Sequence, residues 1–322
     1  MMIRRINLPG TGIETSAIGF GCASLGSRIS PKAGLRSLEL AYEAGVSWFD
    51  VAPAYGAGQA EEILGPFLKG RRDKVNICSK VGIVPPRGNA LLRSVYGVTR
   101  PAISMLGGLR RRFRKVSATR NRVVELNSAM IHTSIEQSLQ RLDTDYLDVF
   151  FLHNPAPEYL DRDDVQKALG DIVASGKARH VGIAGTYETA LRLPQGDNLF
   201  NVVQFADRPE QARVATYRAS RPRPVSILTH SILGVGGSHD ALMKIMADNP
   251  VAQTRLREAG YEGALSEAAA ALLIDSALWS NAQGVVLMSM FSQKHMSTNT
   301  ARANIPPTID SVNLLKSLVS AS

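Results

Sequence analysis

Ala44-Gly45-Val46-Ser47-Trp48-Phe49-Asp50-Val51-Ala52-Pro53-Ala54-Tyr55-Gly56 reads as the end of a helix, a short strand and a loop. Gly45 suits a helix stop. Val46-Ser47-Trp48-Phe49 is a compact, largely apolar run, closed by Asp50, with Tyr55 five residues on. Two later runs close on a polar residue in the same way. Val75-Asn76-Ile77-Cys78-Ser79 ends on Lys80, and Leu147-Asp148-Val149-Phe150-Phe151-Leu152 ends on His153. A hairpin is expected around Pro9-Gly10-Thr11-Gly12. After it, strands are predicted at 17–19, 48–50, 75–79, 147–152, 180–184, 201–204, 225–229 and 284–288. Helices are predicted between them at 31–44, 60–68, 127–142, 165–175, 187–193, 210–220, 265–279 and 293–304. Pro31 suits a helix start, Asn127 and Ser128 can cap, and Ile131, Ile135, Leu139 and Leu142 fall on one helix face. Eight alternating units predict an α/β fold of the (β/α)8 TIM-barrel type, one domain over 1–322, rather than an open sheet.

In such a barrel the strand C-termini converge on one face, where chemistry takes place. Asp50, Tyr55, Lys80 and His153 therefore meet there. A carboxylate, a phenol, an ammonium and an imidazole together suit proton transfer to or from a substrate oxygen. A free tyrosine titrates near about 10 and is a poor donor at neutral pH. An adjacent Lys80 ammonium favours the phenolate, and Asp50 can hold that ammonium charged and oriented. His153 can donate to a carbonyl oxygen as charge builds on it. Any one of these residues alone would pass as structural; the four together would not.

The chain has 322 residues, 44% apolar and 20% charged, enough for a large core. Cys22 and Cys78 are its two cysteines, which makes neither a disulfide framework nor a metal site. They read as reduced, buried small residues. The start Met1-Met2-Ile3-Arg4-Arg5 is basic but lacks an apolar run, and no apolar stretch is long enough to span a bilayer. A cytoplasmic location is expected. The net charge is +9, yet ten positive and no negative residues lie within 84–124, so the rest of the chain sums to −1.

That segment, an extended loop over 84–125 after the third strand, should overlie the active-site mouth. It carries Arg110-Arg111-Arg112-Phe113-Arg114-Lys115 between apolar runs. It reads either as a solvated excursion or as an arginine-lined lid that attracts an anionic or bulky substrate. Sparse aromatic residues argue against nucleic acid. An amphipathic helix on a membrane surface is a further reading.

The chain resembles the aldo-keto reductase family over nearly its whole length. The resemblance is carried by Leu8-Pro9-Gly10-Thr11-Gly12, Ile18-Gly19-Phe20-Gly21, the stretch from Ala44 to Gly56, Ser79-Lys80-Val81-Gly82, and the run from Ser134 to Asp148 leading to Leu152-His153. It implies a catalytic tetrad of Tyr55, Lys80, Asp50 and His153, with Tyr55 the general acid or base. It also implies NADP(H) or NAD(H) as cofactor and a small carbonyl or alcohol substrate, neutral or anionic. The bacterial sugar-dehydrogenase-like branch is the nearest in pattern. A rival implication is a cofactor-binding regulatory protein on the same scaffold, like the channel-associated β-subunits that resemble this family.

Gly19-Phe20-Gly21 with Gly26 fails the G-x-G-x-x-G spacing of dinucleotide folds, because Ser24 stands at the third glycine. The resemblance instead places a nicotinamide site at strand ends. Gly21, Cys22 and Ala23 would lie against the cofactor, and Gln204 would hold the carboxamide. Ala184 and Gly185 stand where the family often has Ser and Asn for that task. His230 stands for the stacking aromatic. Ser231 and Leu233 fall at pyrophosphate positions, with Gly234, Gly236 and Gly237 beside them. Ser289 lies in the stretch that replaces a usual Pro-Gly or Pro-Lys-Ser. His295 stands where Arg often binds a 2′-phosphate, and Asn299 where adenine is read. Lys294 or Arg302 is expected to supply the missing positive charge. No metal is expected, and the oligomeric state is open.

Overall fold

The structure is a computed structural model and describes residues 3–85, 121–196, 198–234 and 237–320. Eight parallel strands close into a barrel in the order β3 (Ile18–Gly21), β4 (Trp48–Asp50), β5 (Asn76–Val81), β8 (Leu147–His153), β9 (Ala178–Gly185), β10 (Phe200–Ala206), β11 (Ser226–His230) and β12 (Val285–Met288). The expected strands all form, displaced by a residue or two at their ends. A hairpin of β1 (Arg5–Asn7) and β2 (Glu14–Ser16) covers the N-terminal end. There Ser226 Oγ, at the start of β11, donates to Pro9 O at 2.7 Å, and Arg5 Nη1 donates to Ser47 Oγ at 2.7 Å, just before β4.

Local chemistry sets the helix limits. Ser30 Oγ accepts from the Ala33 N–H at 3.3 Å ahead of Pro31–Glu43, and Asn127 Oδ1 accepts from Met130 N–H at 2.9 Å ahead of Ser128–Leu142. The latter helix stops at Asp143, whose φ of +52° ends the right-handed run. Three helices go beyond the sequence expectation: Ser238–Ala247, Pro250–Glu258 and Ile309–Ser320. They pack with Leu265–Ser280 around Leu242, Met246, Leu256, Leu272, Leu315 and Leu318, a cluster outside the barrel's own core.

Strand alternation decides which side chains face the barrel interior. On β5, Ser79 Oγ donates to Glu61 Oε1 on the surrounding helix Ala60–Leu68, so Lys80 points inward. On β10, Phe205 packs outward against the rings of Tyr187 and Tyr217, so Gln204 points inward. The interior is crowded: a Cβ on Gly182 of β9 would lie 2.3 Å from Val202 O and 2.7 Å from the Phe151 ring.

After β5 the chain enters a short antiparallel pair, β6 (Ile83–Val84) with β7 (Arg122–Val123). The excursion expected over 84–125 thus leaves and returns side by side. Its interior, with Arg87, Arg93, Arg100, Arg110, Arg111, Arg112, Arg114, Lys115 and Arg120, lies outside the described residues, as does Gly236. Among the described residues no helix is long and apolar enough to cross a membrane, and no three His, Cys, Asp or Glu side chains group as metal ligands do.

Candidate active site

Asp50, Lys80 and His153 sit at or next to the C-terminal ends of β4, β5 and β8. Tyr55 reaches the same place from the turn Tyr55–Gly58. That turn needs glycine at 56: its φ is +61°, and a Cβ there would lie 1.8 Å from Leu25 O.

Lys80 Nζ donates to Asp50 Oδ1 and, at 3.1 Å, to Val51 O; Lys80 is 1% exposed and Asp50 2%. Nζ also lies 4.9 Å from the Tyr55 ring centroid. The Tyr55 and His153 rings meet edge-on, with centroids 6.0 Å apart at 86°. Burial is the largest influence and opposes the Lys80 ammonium, but the charge and hydrogen bond of Asp50, together with Tyr55 and Cys78, hold the Lys80 pKa above its ordinary value. His153 is pulled down to about 3 by burial, then by the charge of Lys80 and by His230, so its imidazole is neutral. Its Nδ1 is buried without a partner.

The Tyr55 hydroxyl departs from the sequence expectation. Lys80 does lower its pKa, as reasoned, but burial raises it more, and the net effect pushes it up to about 12. Without substrate, Tyr55 is a firmly protonated phenol.

The residues proposed for a cofactor divide into two groups. Gln204, Ala184 and His153 form a row across β10, β9 and β8. Gln204 Nε2 donates to Asp50 Oδ2 at 2.7 Å, while its Oε1 is buried with no partner. Gln204 therefore braces the ion pair and keeps one acceptor free. His230 ends β11, with its Nδ1 2.8 Å from Ser231 Oγ; burial lowers its pKa. Ser231 carries a φ of +63°, and Leu233 is 40% exposed. Gly21 and Ala184 belong to this face by their strand ends. The Cys22 thiol is fully buried beside Phe20 O, within electrostatic reach of Asp50 and Lys80.

At the other end, Ser289 and His295 are exposed and Asn299 is buried. His295 N–H is taken by Ser292 Oγ at 3.1 Å, which starts the helix Gln293–Asn304. Neither expected substitute cation stands free. Arg302 pairs through two nitrogens with Asp275, which Tyr261 also donates to, and Lys294 pairs with Glu267.

Two polar groups here escaped the sequence reading. Asp207, just past β10, is 2% exposed, and burial raises its carboxyl to about 6. Asn154, just past His153, has a φ of +52° and donates its N–H to Ala184 O at 2.6 Å. Their nearness to strand ends was the available signal.

The sequence profile of the Aldo/keto reductase family matches residues 17–204. Aldo-keto reductase YhdN of Bacillus subtilis is 30% identical over 180 residues, 54% of this chain and 44% of that protein. The 6-dehydroglucose reductase of Agrobacterium fabrum is 31% identical over 177 residues, 53% of this chain and 50% of that protein. The match thus spans about half the length of these relatives. A crystal structure of an aldo-keto reductase from Klebsiella pneumoniae in complex with NADPH superposes with a TM-score of 0.67 at 20% identity, covering 99% of this chain and 96% of that one, which supports the fold. On its family profile, and with the barrel that profile implies, the chain belongs to the aldo/keto reductase family.

Proposed function

We propose that the chain is an NAD(P)-dependent oxidoreductase that interconverts a carbonyl and an alcohol, with Tyr55 giving or taking the proton. The observation that carries this is the assembly of Tyr55, Lys80, Asp50 and His153 at one end of the barrel, with the Lys80–Asp50 pair buried beside the Tyr55 ring. A structural role needs no ammonium there. A buried ion pair is costly to desolvate and is kept where its charge is used.

The residues present fit a nicotinamide. The buried Gln204 Oε1 lacks a donor, and a carboxamide NH2 would satisfy it. Gln204, Ala184, Gly185 and His230 would surround the ring, Gly21 and Cys22 would back it through their main chain, and Ser231 and Leu233 would border the diphosphate. Ser289, His295 and Asn299 would take the adenosine end. When bound, the nicotinamide supplies or accepts the hydride. His153, neutral, donates to the substrate oxygen and orients it. Lys80 stabilises negative charge on the Tyr55 oxygen as its proton leaves, and Asp50, braced by Gln204, keeps Lys80 in place. Pushed up to about 12, Tyr55 is protonated near neutral pH, the form that carbonyl reduction needs, and Lys80 must stabilise the phenolate as the proton leaves.

The substrate class is a small aldehyde, ketone or sugar; the similarity to 6-dehydroglucose reductase supports the sugar reading. The basic segment within 84–124 favours an anionic member of that class. The whole chain is taken as one barrel domain acting in the cytoplasm, without nucleic acid. A second reading, a cofactor-binding regulatory protein with little turnover, draws on Ala184 and Gly185, which offer the ring no polar side chain.

Titration with NADH and NADPH by fluorescence quenching, followed by turnover on aldehydes, ketones, neutral sugars and sugar acids, tests the proposal. Binding with turnover supports the enzyme, binding without turnover on any compound supports the regulatory reading, and no binding removes both.

A further inference from the structure

The row His153–Ala184–Gln204 crosses three neighbouring strands, and its middle strand ends on two residues without polar side chains, Ala184 and Gly185. Each flank carries an amide. On one side, Gln204 spends Nε2 on Asp50 and leaves the buried Oε1 without a donor. On the other is Asn154, solvent-exposed and without a side-chain hydrogen bond among the described residues. Its left-handed backbone, anchored through its N–H to Ala184 O, brings the side chain toward β9: Oδ1 lies 3.8 Å from the point where a side chain on residue 185 would begin. Position 185 accepts a side chain without a clash, since a Cβ there would make ordinary contacts, the nearest at 3.7 Å.

The strands flanking β9 are about 10 Å apart, a gap that two amide side chains and one bound planar group fill. The group must donate to Gln204 Oε1 and accept from Asn154 Nδ2. A primary carboxamide does both from one plane. We propose that Asn154 is a positioning residue for the carboxamide of the nicotinamide ring, which it grips together with Gln204 in place of the side chains that positions 184 and 185 lack. This rests on the nicotinamide reading above. Glycine accepts a φ of +52° more readily than asparagine, so Asn154→Gly removes the amide without straining the fold.

The test is equilibrium binding, by fluorescence quenching, of NADPH and NADH and of the ring-free fragments ADP-ribose and 2′-phospho-ADP-ribose. Asn154→Gly and Asn154→Asp should each weaken the whole dinucleotide by about 3- to 10-fold, the worth of one net hydrogen bond. Neither should change binding of the fragments. Adding Gly185→Asn to Asn154→Gly should recover part of the loss. Equal weakening of dinucleotide and fragment, or no weakening of either, overturns the assignment of Asn154 while leaving the cofactor reading standing. Wild-type protein that binds the fragments but gains nothing from the ring overturns both.

Discussion

Replacing Lys80 by Met separates the two tasks assigned to that ammonium. Lys80 is 1% exposed, and its Nζ is bonded to Asp50 and to Val51 O. Met fills similar volume but leaves the Asp50 carboxylate, 2% exposed, with Gln204 Nε2 as its remaining side-chain donor. Removing one partner of a buried pair costs about 3–5 kcal/mol, because the other charge stays desolvated. With an m-value of about 3 kcal/mol/M, the urea midpoint should fall by roughly 1–1.7 M. Combining Lys80→Met with Asp50→Leu removes the stranded charge and should restore most of that stability, since apolar replacement of a whole buried pair is often neutral. It should not restore turnover, because the Tyr55 phenolate has lost the cation 4.9 Å from its ring. Equilibrium urea unfolding of the three proteins, with turnover measured beside it, checks both parts. A single variant as stable as wild type, or a double variant that regains activity, would refute the reasoning.

Three further outcomes follow from the same structure. With Tyr55 pushed up to about 12, alcohol oxidation, which needs the phenolate, should keep rising with pH past neutrality, whereas carbonyl reduction should not; pH–rate profiles in both directions decide this. Asp207 has a folded pKa raised to about 6, so the folded state is favoured where that carboxyl is protonated and loses stability as pH rises from about 4 to 6. Asp207→Asn should therefore raise stability at alkaline pH by on the order of 1–3 kcal/mol and change little in acid, as read by urea unfolding at both pH values. Gly182→Ala should destabilise the barrel by about 2 kcal/mol or more, seen in thermal unfolding, because its Cβ meets the Val202 carbonyl at 2.3 Å.

Much of the barrel was legible because each unit announces itself locally. Val46 to Phe49 followed by Asp50, and the apolar face of Ile131, Ile135, Leu139 and Leu142, are patterns of a few residues. The gathering of Asp50, Lys80 and His153 at one end followed from strand topology, whereas the roles given to them and to Tyr55 rest on the family resemblance. What escaped depends on closure and on burial. Gln204 braces Asp50 across the barrel interior, a contact between residues 154 positions apart that no local pattern signals. The net pKa of Tyr55 turns on how deeply the phenol is buried, which spacing does not report. Lys294 or Arg302 was expected to supply a missing positive charge, and their pairing with Glu267 and Asp275 of a neighbouring helix has no local signal in the sequence. The helix Pro250–Glu258 shows weak periodicity, with Ala252 and Leu256 as its buried residues, although Asn249 ahead of Pro250 was a readable cap.

The central claim is that the Tyr55 hydroxyl moves the proton in a nicotinamide-dependent reaction. Its most direct test is steady-state loss of reduced-nicotinamide absorbance with wild type and with Tyr55→Phe, on whichever carbonyl the wild type turns over. The assignment predicts a fall of about 100-fold or more, the usual worth of a general acid, with cofactor affinity unchanged. Turnover by Tyr55→Phe within a few-fold of wild type would contradict it.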